Sequence, residues 1–209
     1  MTRSPIALAA LLLGWGLTAC AGPSKGEYRA GLYRHPRPAY SFQVPSGWRP
    51  VTLEKGAAFA VMARVLRSMD ADGQRRALAV QRERLVRMDS ALISDGDAGI
   101  LVESRRDFTG VGIPRDAHFS PVQRQQFTDA VKARSPDTMV HSVETVPYGA
   151  LTALRATLTV RGVDATLVMF VDGPDGVMLW HVGTPDDAST GLADFESLLR
   201  SFRFGADSA

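Results

Sequence analysis

The sequence is poor in cysteine: Cys20 is the single one among 209 residues. One thiol cannot close an intrachain disulfide, so the fold must be held by packing even in an oxidising compartment. An excess of one charge is missing too. The 24 basic and 22 acidic residues nearly cancel, which argues against a nucleic-acid surface. Histidine is scarce and scattered, at His35, His118, His141 and His181. None of these forms a pair that would set two metal ligands on one helix face.

Catalytic and ligand motifs are absent as well. "DADG" at 70–73 and "DGDAG" at 95–99 look like the start of calcium loops, but the twelfth positions counted from Asp70 and Asp95 are Gln81 and Arg106. Neither supplies the bidentate carboxylate that such a loop requires, so both read as turns. A nucleophile elbow, Gly-x-Ser-x-Gly, does not occur, and Ser46 has only Gly47 beside it. "GVGIP" at 110–114 lacks the later glycine, lysine and hydroxyl residue of a phosphate loop and reads as a connection. Asp186 and Asp187 suit the positive N-terminal end of a following helix. No catalytic residue, metal ligand or cofactor is therefore expected, and the expectation is a protein that is not an enzyme. For His181, after Trp180 in an expected strand, two readings stay open: an imidazole lining a pocket, and a hydrogen-bonded core or surface histidine.

One long apolar run is present. Arg3 precedes Ile6–Ala19, which contains Leu8, Leu11, Leu12, Leu13, Trp15 and Leu17, the pattern of an export signal. As a helix it would span about 21 Å, short of the roughly 30 Å hydrocarbon core. Leu17-Thr18-Ala19-Cys20 resembles the bacterial lipobox, in which the thiol receives diacylglycerol and a peptidase cuts before the cysteine. Small Thr18 and Ala19 let a peptidase approach the backbone, and Cys20 offers the thioether sulfur. The resemblance implies cleavage between Ala19 and Cys20, lipidation of Cys20 and attachment to a bilayer. The other reading is an unmodified, buried cysteine after an ordinary secretory signal. Ala21, in place of the aspartate associated with inner-membrane retention, implies the outer membrane, facing the periplasm.

Four segments are expected: a signal peptide over 1–19, a lipidated N-terminus and flexible tether over 20–39, a single domain over 40–204, and a short tail over 205–209. Loss of residues 1–19 removes only Arg3 from the charge balance and leaves a chain of ordinary single-domain size. "AGPSKGEYRAGLYRHPRPA" at 21–39 has glycine, proline and charge without a sustained period, as a tether does. Tyr28, Leu32 and Tyr33 are its few sticky residues.

Beyond the tether, Tyr40, Phe42 and Val44 alternate before the turn Pro45-Ser46-Gly47. Phe59, Met62, Leu66 and Met69 recur at helical spacing, and a second stripe runs through Leu78, Gln81, Leu85, Met88 and Leu92. Arg75, Arg76, Arg82, Glu83 and Arg87 lie off that stripe, either as a solvated face or as contacts to anionic headgroups. "AGILVESR" at 98–105 suits a strand. Ser120-Pro121-Val122-Gln123 matches a capping box with proline at the first helical position, predicting a helix through Val131. Leu154, Ala156, Leu158 and Val160 alternate with polar residues, and Gly162 and "DGPDG" at 172–176 permit reversals, predicting an antiparallel meander. Leu192, Phe195, Leu199 and Phe202 predict a final amphipathic helix. Helices and strands fall in separate clusters, which favours an α+β fold with an antiparallel sheet.

"AYSFQVPSGWRPVTL" at 39–53 together with "LLRSFRF" at 198–204 resembles the opening and ending of PsbP-like and DcrB-like proteins. That resemblance implies an antiparallel sheet covered by helices, an α/β/α sandwich, and a role as assembly factor, accessory subunit or lipoprotein without a shared active site. It carries over no functional residue. The expected function is a membrane-anchored, non-catalytic binding or assembly module of the cell envelope, with an envelope protein as partner. A carrier or sensor of a small apolar ligand and a hydrolase with dispersed residues remain the alternatives.

Overall fold

Leu154, Ala156 and Leu158 are buried while Arg155, Thr157 and Thr159 between them are less so. This two-residue period sets the plan of a large antiparallel sheet. The computed structural model describes residues 26–51, 88–94, 98–105, 120–134, 138–160, 163–183 and 188–205. In chain order they form β1 (Glu27–Arg29), β2 (Leu32–Pro36), β3 (Ala39–Gln43), β4 (Trp48–Pro50), β5 (Ser90–Ser94), β6 (Gly99–Arg105), α1 (Pro121–Arg134), β7 (Thr138–Tyr148), β8 (Leu151–Val160), β9 (Val163–Asp172), β10 (Asp175–Gly183), α2 (Ala188–Ser201) and β11 (Arg203–Phe204). Seven strands make one sheet in the order β4-β5-β6-β10-β9-β8-β7, and four make a second in the order β1-β2-β3-β11. Every pairing is antiparallel.

Each face of the large sheet has its own core. On one face, Ile100, Val102, Val168, Phe170, Val177 and Leu179 meet Tyr33, Tyr40 and Phe42 of the small sheet and Phe195, Leu198, Leu199 and Phe202 at the chain's end. On the other, Leu154, Ala156, Leu158, Leu167, Met169 and Met178 pack with Phe127 of α1. The strands between must serve both, so β9 reads Ala-Thr-Leu-Val-Met-Phe with every residue from Ala165 to Phe170 buried. Two-sided burial of this kind replaces alternation with a continuous apolar run.

The predicted meander, the strand over 98–105, the helix that follows Ser120 and the closing helix are present. Ser120 accepts from the Arg124 amide at 3.0 Å, as an N-cap carbonyl does, with Pro121 next in the first helical turn. α1 runs to Arg134, one turn past Val131. At α2, Phe195, Leu198, Leu199 and Phe202 are fully buried. Burying side chains of this size stabilises by about 1.5–3 kcal/mol each. Leu198, outside the predicted stripe, belongs to it, and Leu192 is only partly buried.

Three expectations need correction. The tether over 20–39 does not extend to residue 39, and the domain does not start at residue 40. Residues 27–36 form two strands, and Tyr33 and His35 sit in the interior. Ala30 and Gly31 form the two-residue turn between them, both with positive φ, 50° and 77°. That is the hairpin geometry whose twist matches the flanking strands. Secondly, Leu92 lies in β5 rather than on a helix, and Met88 precedes that strand. The rest of both helical stripes lies outside the described residues. Thirdly, among the described residues helices cover the large sheet only in part, because α2 shares its face with the four-stranded sheet. Gly205, assigned to the tail, donates its amide to Ala39 at 2.9 Å.

Candidate functional site

One face of the small sheet is aromatic because its strands alternate in register. Tyr28 stands opposite Tyr33, Tyr33 opposite Phe42, and His35 opposite Tyr40. Neighbouring rings are 4.7–4.9 Å apart in these three pairs. Their apolar bodies fill the space over the large sheet and their polar tips converge on Asp89 and Ser90, at the start of β5.

Asp89 is the node. Its Oδ2 accepts from the Tyr40 hydroxyl at 2.9 Å and from the Ser104 amide at 2.6 Å, while His35 Nε2 lies 3.5 Å from Oδ1. Its carbonyl accepts from the Tyr33 hydroxyl at 3.0 Å, and its amide donates to Val102 at 2.9 Å. Ser90 Oγ is bonded to the Tyr28 hydroxyl. His35 Nδ1 is 2.9 Å from the Pro38 carbonyl. A carbonyl can only accept, so Nδ1 carries the hydrogen. Burial, and after it the Asp89 charge, raises the Tyr33 and Tyr40 hydroxyls well above the usual tyrosine range. Burial pushes Tyr28 up to about 12, with the Ser90 bond opposing. All three therefore remain protonated at neutral pH. Chemically, the cluster locks the small sheet onto β5 and β6 through hydrogen bonds to Asp89 and Ser90.

A second group lies under α2. Trp48 Nε1 donates to Asp194 at 2.8 Å. His181, on β10, is buried, stacks on Phe195 at a ring distance of 5.4 Å, and has no hydrogen-bond partner for Nε2 among the described residues. A Cβ at Gly191 would stand 2.8 Å from that nitrogen, so glycine is what lets the helix approach. Burial lowers His181 to about 4 against the opposing pull of Asp194. The ring is a buried group that is neutral at neutral pH. A third group ties β8 to α2: Arg155 donates to Glu196 at 2.5 Å. Burial, and next Glu196, raises the nearby Tyr148 hydroxyl to about 12.

Of the remaining candidates, His141 is exposed on β7 and bonds Thr159 at 2.7 Å. Ala19, Cys20, His118, Asp70, Asp95, 110–114 and Asp186-Asp187 lie outside the described residues. Among the described residues, no group of three or more His, Cys, Asp and Glu could hold a metal ion. No described helix is long and apolar enough to cross a membrane. Asp89 gives no signal in the sequence because it falls within a helical stripe and its tyrosine partners lie 49 and 56 residues away.

The solution structure of the cyanobacterial PsbP from Synechocystis superposes with a TM-score of 0.50 at 12% identity, covering 92% of this chain and 99% of that one. The chain has a PsbP-like fold. The yeast Ran-binding protein Mog1p gives a TM-score of 0.41 at 11% identity, over 79% of this chain and 89% of its own; the fold assignment rests on the first. No protein-family model matches the sequence, and no curated protein does. In the PsbP-like domain the Asp89 cluster is the joint between the two sheets.

Proposed function

We propose that the chain is a bacterial lipoprotein, anchored through acylated Cys20, whose PsbP-like domain binds an envelope component or supports an assembly without catalysing a reaction. The observation that carries this reading is the join between motif and fold. Leu17-Thr18-Ala19-Cys20 follows the apolar run Ile6–Ala19, and the first strand begins at Glu27. One acyl chain gives marginal attachment, whereas two or three hold stably. Ala21 after the cysteine gives the outer membrane, facing the periplasm, as the address. On the domain side, support comes from where the polar groups are spent. His35, Tyr33, Tyr40 and Asp89 serve one another in the interior, and His181 is enclosed beneath α2. Contact with a partner is then made by exposed surface, at the high local concentration that anchoring supplies.

Mass spectrometry of protein from native membranes is expected to find acylated Cys20 at the N-terminus, and crosslinking in native envelopes to capture an envelope partner. An unmodified Cys20 ends the anchor half of the proposal. Turnover by the purified protein, abolished by one polar substitution that leaves folding intact, ends the binding half.

A further inference from the structure

The outer face of the four-stranded sheet carries a prevailing positive charge. Glu27 stands opposite Arg34, Arg34 opposite Ser41, and Ser41 opposite Arg203. One row thus crosses all four strands, at the end of β1 from which the chain leads back to Cys20. Arg29 shares that face two residues along β1. Arg29, Arg34 and Arg203 are exposed, whereas Ser41, between two of them, is buried. Long arginine stems lying along a sheet, with their guanidinium groups in solvent, produce this pattern. Arg203 also donates to the Arg200 and Phe202 carbonyls at 2.8 and 2.7 Å, which holds its head at the end of α2. Among the described residues of these four strands, Glu27 is the one acidic group that opposes the three charges.

The reach of the chain is short. Six residue steps separate Cys20 from Gly26, at most about 22 Å. The screening length at physiological salt is about 8 Å. A domain held at Cys20 therefore keeps Gly26, one residue before the row begins, within about three screening lengths of the headgroups.

We infer that the outer face of β1-β2-β3-β11 docks the domain on an anionic lipid surface, with Arg29, Arg34 and Arg203 meeting the phosphates. The inference takes its proximity from the anchor proposed above, whereas the attraction belongs to the arginines. Each contributes about fivefold to binding near an anionic surface, or roughly 100-fold for the three together.

The test uses protein purified from native membranes and placed on vesicles of phosphatidylcholine alone or mixed with phosphatidylglycerol. Arginine labelling by phenylglyoxal is read by mass spectrometry, which also gives the mass of the N-terminal peptide. The expected result is protection of Arg29, Arg34 and Arg203 on the mixed vesicles only, reversed by high salt. The triple variant Arg29→Gln, Arg34→Gln, Arg203→Gln, with an unchanged thermal midpoint, should lose roughly 100-fold of its retention on mixed vesicles when no acyl chain is attached. If that variant does not fold, the lipid and salt dependence of the wild-type labelling decides alone. Equal labelling on both vesicle types, or protection by an acidic protein but not by lipid, overturns the inference. Acylated Cys20 with equal labelling leaves the anchor and removes the face. Unmodified Cys20 with protection intact removes the anchor and leaves the face.

Discussion

His35, under the small sheet, meets a carboxylate at 3.5 Å and a carbonyl at 2.9 Å, whereas His181, under α2, has an Nε2 without a hydrogen-bond partner among the described residues. Both rings are buried on the same side of the large sheet, 3% exposed in each case. The joint around His35 is directional: hydroxyls, an amide and a carboxylate fix how two sheets meet. The seat around His181 is set by volume: Phe195 stacks on the ring at 5.4 Å, Trp48 lies 6.3 Å from it, and Gly191 lets α2 approach, with the imidazole kept neutral between them. Hydrogen bonds specify an orientation at the cost of desolvating polar atoms. Apolar packing contributes more free energy and less direction.

The largest expected effects remove one joint at a time. Asp89→Ala leaves the Tyr40 hydroxyl and Ser104 amide without their acceptor and removes the carboxylate beside His35, and should cost about 3–5 kcal/mol. Phe195→Ala, which opens a cavity beneath α2, should cost a similar 3–5 kcal/mol or so. Denaturant midpoints measure both. The contrast sharpens if Asp89→Asn recovers part of the first loss while Phe195→Leu recovers part of the second. An unchanged midpoint for Asp89→Ala would break it.

Acid separates the two histidines next. Free histidine takes a proton near 6.5, whereas His181 in the native protein stays neutral down to about 4. Between these values the unfolded chain binds more protons, so stability falls as pH drops from 6.5 to 4 and levels off below. The loss amounts to roughly 3 kcal/mol. His181→Leu should flatten that part of the stability–pH curve whatever it does to absolute stability. Equal slopes for the two proteins would show that the ring is hydrated or paired.

The meander and the closing helix were legible because their signals are local and long: β8 alternates over ten residues, and α2 repeats its apolar positions over four turns. The first hairpin was not. Its strands are three and five residues long, too short for a period to emerge from glycine, proline and charge. Tyr28 and Tyr33 look like stray aromatics until their hydroxyls are seen to end on Ser90 and Asp89. Leu92 continued the spacing of a preceding helical stripe, and only its pairing with Ile100 in β5–β6 distinguishes strand from helix. The Asp89 cluster is invisible in sequence for the same reason that it matters structurally: its members come from remote segments.

A smaller effect tests the hairpin itself. Ala30 holds φ at 50°, a conformation that asparagine tolerates better than alanine. Ala30→Asn should raise stability by about 0.5–1 kcal/mol, read as a higher thermal midpoint. In a loose tether the same substitution does nothing, so an unchanged midpoint would return residues 27–36 to a linker.

β11 completes the small sheet by pairing Arg203 with Ser41 and Phe204 with Tyr40, and Ser201 Oγ accepts from the Gln43 amide across 158 residues of sequence. β3, once made on the ribosome, therefore waits for β11. Until β11 emerges, β3 lacks its outer neighbour, and Tyr40 lacks the Phe202 ring that stacks on it at 5.6 Å. The nascent chain cannot finish this sheet piecemeal. A chain that stops before Leu198 carries an open, aromatic strand edge that invites pairing with other chains.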